Sequence, residues 1–173
     1  MAFSITTVTK ASQVFTASSV ANTETITVAG KVYTFQDTLT DVDGNVHIGA
    51  SDDATMDNLV AAINLSGGVA GTDYATSMTV NPQCTAAKTD TDEVTVTAKV
   101  GGTVGNFITV AESCGGSWAG AATTLAGGAG SMATAMTEIQ TELAALRDYG
   151  CGNANSHVIR ILTEIETVLA ATD

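Results

Sequence analysis

Hydrophobic and polar positions alternate most regularly between Glu24 and Phe35. Glu24-Thr25-Ile26-Thr27-Val28 steps between polar and apolar, Ala29-Gly30 interrupts, and Lys31-Val32-Tyr33-Thr34-Phe35 alternates again. A period of two, carried by β-branched and aromatic side chains around a two-residue turn, predicts a β-hairpin. Asp41-Val42-Asp43-Gly44-Asn45 reads as the next hairpin-like turn and leads into Val46-His47-Ile48, because Asp-Gly is a strong short-range turn signal. Further strands are predicted at residues 76–80, stopped by Asn81-Pro82, then at 84–87, at 93–99 and at 107–110. The run Glu93-Val94-Thr95-Val96-Thr97-Ala98-Lys99 is the cleanest of these.

The period changes over residues 51–64. Met56, Leu59, Val60 and Ile63 share one face of a helix of about three turns. Ser51 or Asp52 is its N-cap, acidic residues sit in its first turn, and Asn64-Leu65-Ser66-Gly67-Gly68 ends it. From Ser131 the pattern is helical again. Met132, Met136, Ile139, Leu143 and Leu146 form a heptad-like stripe, and Tyr149-Gly150-Cys151-Gly152-Asn153 breaks it. Asn155 or Ser156 caps a second helix striped with Val158, Ile161, Leu162, Ile165, Val168 and Leu169. Two such helices read as an αα-hairpin whose stripes must bury against another surface. Met136, Ile139, Leu143, Leu146, Ile161, Leu162, Ile165 and Leu169 are therefore the candidate interface residues.

The expected fold is α+β. A β-rich, antiparallel, sandwich-like or barrel-like domain with one short helix occupies residues 23–128, and the helical hairpin follows at 129–173. Residues 1–22 alternate only loosely at Phe3, Ile5, Val8, Val14 and Phe15. They form an extended arm that is either a first strand of the domain or a segment lying on a neighbouring subunit.

Composition sharpens this picture. Hydrophobic residues make up 45% of the 173, enough for a core. Six basic against eighteen acidic residues leave a formal charge of -12, which argues against a grip on nucleic acid. The opening residues lack a basic n-region before an unbroken apolar run, so no secretion signal is expected. No apolar stretch reaches the roughly 18 residues of a spanning helix, so no membrane partner is expected.

Candidate chemistry is sparse. Cys84, Cys114 and Cys151 form no Cys-x-x-Cys pair. They read as buried or half-buried thiols, with a disulfide between chains, or between Cys84 and Cys114, as the other reading. His47 belongs to a strand face and His157 to the first turn of a helix, with no nucleophile spaced to suit either. Asp41-x-Asp43-x-Asn45 superficially resembles a calcium loop, yet its glycine comes fourth and Asp52 stands where the twelfth-position glutamate belongs. Asp90, Asp92 and Glu93 read as a solvated turn. The glycine-rich residues 101–106 lack the Lys-Ser/Thr ending of a phosphate loop. Asn64-Leu65-Ser66 matches a glycosylation sequon, which carries little weight without a secretion signal. Trp118 reads as a core anchor, with a ligand-stacking platform as the alternative. No catalytic residue, metal ligand or cofactor is expected.

Several segments taken in order resemble a module common in virion proteins of tailed bacteriophages. They are Ile26-Thr27-Val28-Ala29-Gly30-Lys31-Val32-Tyr33-Thr34-Phe35, Val46-His47-Ile48-Gly49-Ala50-Ser51 and Leu59-Val60-Ala61-Ala62-Ile63-Asn64. Gly71-Thr72-Asp73-Tyr74-Ala75, Val94-Thr95-Val96-Thr97-Ala98-Lys99, Gly105-Asn106, Gly116-Ser117-Trp118 and Thr124-Leu125-Ala126-Gly127-Gly128 continue it. The resemblance covers about residues 24–128; the helical hairpin and the cysteines Cys84 and Cys114 depart from it. It implies a non-enzymatic structural protein located in the virion and assembled in the bacterial host cytoplasm. Its partners would be the major capsid protein or other virion proteins and further copies of itself, a trimer among the options. An acidic domain with an arm and a hairpin suits a capsid cement (decoration) protein bridging capsomers. A tail-tube, tail-associated or head-fibre subunit is the alternative. Outside virions, the alternative is a secreted adhesin-like or carbohydrate-binding β-domain.

Overall fold

A computed structural model describes residues 8–130 and Thr141. Among these the chain runs through β1 (Lys10–Ala17), β2 (Thr25–Val28), β3 (Lys31–Gln36), β4 (Asn45–His47) and α1 (Asp52–Asn64). It continues through β5 (Cys84–Asp90), β6 (Glu93–Gly101), a 3-10 turn (Thr103–Phe107), β7 (Val110–Glu112), β8 (Gly116–Trp118) and a second 3-10 turn (Ala119–Ala121). The strands form two four-stranded sheets, ordered β5-β6-β1-β8 and β4-β3-β2-β7. One hydrophobic core joins both sheets and α1, with Phe15, Tyr33, Phe35, Leu59, Ile63 and Trp118 among its bulky members. The described part is thus β-rich α+β, as the hydrophobic pattern predicts.

The strongest local signals fold as expected. Val28 faces Lys31 across the Ala29-Gly30 turn, where φ is 54° and 76°. Two consecutive positive φ values give the primed turn that matches strand twist. Ser51 caps α1 by accepting from the Ala54 N–H at 3.1 Å, and Met56, Leu59 and Ile63 are buried while Val60 is half-buried. The helix stops at Leu65, itself left-handed at φ 51°, ahead of Gly67.

Three expectations are corrected. The Asp41–Asn45 segment is not the tip of a hairpin, because β4 runs parallel to β3, with Thr34 opposite Asn45 and Gln36 opposite His47. The side chains of Gln36 and Asn45 fold the intervening loop back: Gln36 Oε1 accepts from the Thr40 N–H, and Asn45 Nδ2 donates to the Thr40 carbonyl. The sheet is therefore mixed. Residues 76–80 form no strand. Asp41 and Asp43 take the N–H groups of Ser77 (2.7 Å) and Thr79 (2.9 Å), so side chains bind what a neighbouring strand would have bound. The strand expected at 107–110 begins only at Val110, because residues up to Phe107 wind into the 3-10 turn.

Of the two readings open for the arm, residues 10–17 take the first: β1 lies in its own sheet, antiparallel to β6 and β8 on either side. A register shift between Lys10 and Ser12 breaks the alternation there. Residues 1–7 and the proposed hairpin lie outside the described residues apart from Ala129, Gly130 and Thr141. That includes Met136, Ile139, Leu143, Leu146, Cys151, His157, Ile161, Leu162, Ile165 and Leu169. No helix among the described residues is long and apolar enough to cross a membrane.

Candidate functional site

Asn81 is the most densely bonded polar residue of the interior. It is fully buried, and its Nδ2 donates to the Val28 carbonyl (3.1 Å) and to Tyr33 Oη (3.3 Å). Its Oδ1 accepts from the N–H groups of Gln83 (3.0 Å) and Cys84 (2.9 Å). Its own carbonyl accepts from Lys99 Nζ at 2.6 Å. One side chain thus ties β2, β3 and the start of β5 together, a role the sequence signals only as a stop before Pro82. Burial pushes Tyr33 up to about 12, against the lowering effect of its hydrogen bond with Asn81.

Two hollows flank this region. The first, of 330 Å3, is lined by Asn64, Ser66, Val80, Cys84, Thr85 and Lys99. The second, of 220 Å3, lies between Pro82, Lys99, Val100, Val104 and Ile108. Cys84 is the one nucleophilic sulfur in the first. Burial pushes its thiol up to about 11 despite the nearby Lys99 charge, so it stays protonated near neutrality. The lining residues of neither hollow include a histidine or a carboxylate to serve as a base.

The other candidates prove to be braces. Asp43 binds Lys31 Nζ at 2.7 Å and Thr79 Oγ1 at 2.6 Å. Partial burial raises its carboxyl, but these bonds outweigh that and hold it at about 2. Asp41 and Asp43 are therefore occupied by the protein's own donors. His47 is half-buried on β4; its N–H donates to Asp73 and its carbonyl accepts from Asn58. Among the described residues no group of three or more His, Cys, Asp or Glu side chains is placed to hold a metal ion. Trp118 is 1% exposed and meets Phe15 edge-to-face with ring centroids 5.4 Å apart, the core-anchor reading rather than a ligand platform.

Cys84 and Cys114 are free thiols, and the pairing between them is not made. Cys84 opens β5 and Cys114 lies two residues before the first residue of β8, strands at opposite edges of one four-stranded sheet. Three strand spacings, roughly 14 Å, are a lower bound on their separation, because Cys84 lies toward the Lys10 end of β1 and Cys114 beyond its Ala17 end. A disulfide spans at most about 7 Å between Cα atoms. The sequon asparagine is also engaged: the Asn64 amide binds Ala86 on β5. Asn106 does the same for Gly128, donating from Nδ2 and accepting at Oδ1, both at 2.9 Å. Nothing in the local pattern marks these asparagines, because their partners lie 22 residues away in each case.

The comparisons with known proteins return no match: no family model, no curated protein and no solved structure resembles the chain closely enough.

Proposed function

We propose that the chain is a non-enzymatic structural protein of a tailed-bacteriophage particle, serving as a capsid cement protein between capsomers. What supports this reading is how the residues of the resembling segments are used. Asn64 holds Ala86, Asn106 holds Gly128, and a Cβ on Gly49 would collide with Ala54 at the start of α1. Polar atoms bound to the backbone in this way are unavailable to a substrate, and they fix the framework that a building block requires. The formal charge of -12 favours an outer site, away from packaged DNA. Residues 1–7 and the second C-terminal stripe, from Val158 to Leu169, are the segments that would reach the major capsid protein or another copy.

Mass spectrometry of gradient-purified particles, split into heads and tails, tests the reading. The expected result is this chain in the head fraction at a fixed ratio to the major capsid protein. Recovery in tails alone replaces the cement role with the tail role. Absence from both fractions overturns the virion reading.

A further inference from the structure

The described domain leaves one apolar patch open beside the point where its chain exits. Phe107 is 80% exposed, Val104 61% and Val100 55%. Val104 and Phe107 stand three residues apart in the 3-10 turn, so their side chains lie on one side of it. The opposite side is pinned, because a Cβ on Gly105 would press on Ala11 (2.8 Å) and Ala98 (3.1 Å). Val100 and Val104 also line the 220 Å3 hollow with Pro82 and Ile108. Exposed apolar residues grouped in this way mark a contact surface.

The same turn holds the end of the domain. Asn106 binds both backbone groups of Gly128, and the Thr103 N–H donates to the Gly130 carbonyl at 3.2 Å. Met132, the first member of the stripe Met132, Met136, Ile139, Leu143, follows two residues later, a reach of about 7 Å from Gly130. Thr141, off that stripe, is helical and exposed. A tether this short gives the stripe a local concentration that a second molecule cannot match in dilute solution.

Charge points to the same occupant. Lys31 is paired with Asp43, and Lys88 with Asp53 and Asp57. The other two lysines have no carboxylate partner among the described residues: Lys99 lines the hollow, and Lys10 faces Gly101 next to Val100. The charged residues between Ser131 and Leu146 are Glu138 and Glu142 alone.

We propose that residues 131–146 dock in cis on the Val100–Val104–Phe107 patch, with Glu138 and Glu142 meeting Lys99 and Lys10. This leaves the second stripe, from Val158 to Leu169, as the surface presented to partners. The inference does not depend on the virion reading.

The test uses the full chain carrying a photo-crosslinking benzoylphenylalanine in place of Phe107, irradiated at low micromolar concentration. Crosslinks within a monomer to residues 132–146 are expected. Crosslinked dimers that grow with concentration, or no crosslink at all, overturn docking in cis. A second variant, Val104→Asp with Phe107→Asp, changes exposed positions only. Hydrogen exchange of residues 131–146 should speed up at least about tenfold while α1 and β6 stay protected; unchanged exchange in that segment overturns the proposal.

Discussion

The side-chain amide of Asn64 pairs with both backbone groups of Ala86, donating from Nδ2 at 2.7 Å and accepting at Oδ1 at 2.9 Å. Ala86 lies in β5, at the edge of its sheet. The amide therefore occupies, at one residue, the hydrogen-bonding positions that another strand would use. An open strand edge is a template for aggregation, and here the last residue of α1 blocks it. Asn64→Ala should cost about 1–3 kcal/mol, since partly buried groups of Ala86 lose their partners. Urea melts measure the loss, and light scattering should show faster aggregation of the variant at equal concentration.

Leu59 is 1% exposed on the buried face of α1. Leu59→Ala should destabilise the protein by about 2–5 kcal/mol, the range for a large-to-small change in a packed core. An unfolding free energy from denaturant melts within about 0.5 kcal/mol of the parent would mean that the helix does not depend on this contact.

Asp43 carries a pH dependence of defined sign. Its folded carboxyl sits at about 2, below the ordinary value near 3.9. The stabilisation it brings is therefore complete above about pH 4 and is lost as pH falls through about 2. Its side chain is 43% exposed, so solvent screening holds the effect to about 1 kcal/mol or less. Thermal melts between pH 5 and 2 should fall less steeply for Asp43→Asn than for the parent, with the two curves converging at the acid end.

The two described thiols should be slow to react. Burial, and then the charges of Glu24 and Glu112, push Cys114 up to about 12, and burial pushes Cys84 up to about 11. Alkylation with iodoacetamide at pH 8 should be at least about a hundredfold slower at both in the native protein than in urea, because the thiolate is the reacting form. Mass mapping of the labelled peptides separates them from Cys151.

What was legible in the sequence is what short-range chemistry decides. The hairpin at Thr25–Gln36 follows from alternation and a turn that requires positive φ, and α1 follows from its Ser51 cap and its apolar face. The strand at Glu93–Gly101 follows from alternation alone. Two of the misses arise where side chains take backbone groups that the local pattern assigns elsewhere. Residues 76–80 alternate like a strand, yet their N–H groups go to Asp41 and Asp43, 36 residues earlier. The Asp43-Gly44 turn carries a hairpin signal, yet Asn45 and Gln36 direct the chain into a parallel pairing. Asn64, Asn81 and Asn106 look like ordinary loop or cap residues until their backbone partners are brought close by the fold.

The central place of β1 also constrains the order in which the protein can be completed. Thr16 meets Glu93 across 77 residues, and Thr9 reaches Ala129 across 120. On the ribosome β1 emerges first and waits without either neighbour until β6 and then β8 have been made. Pairings so distant close slowly, on the millisecond-to-second scale of non-local β topologies. A nascent chain interrupted before Trp118 would hold the core face of β1, including Phe15, open to other chains in the meantime. β1 thus joins its sheet only after β6 has been made, whereas β5 and β6, adjacent in sequence, can pair with each other as soon as they emerge.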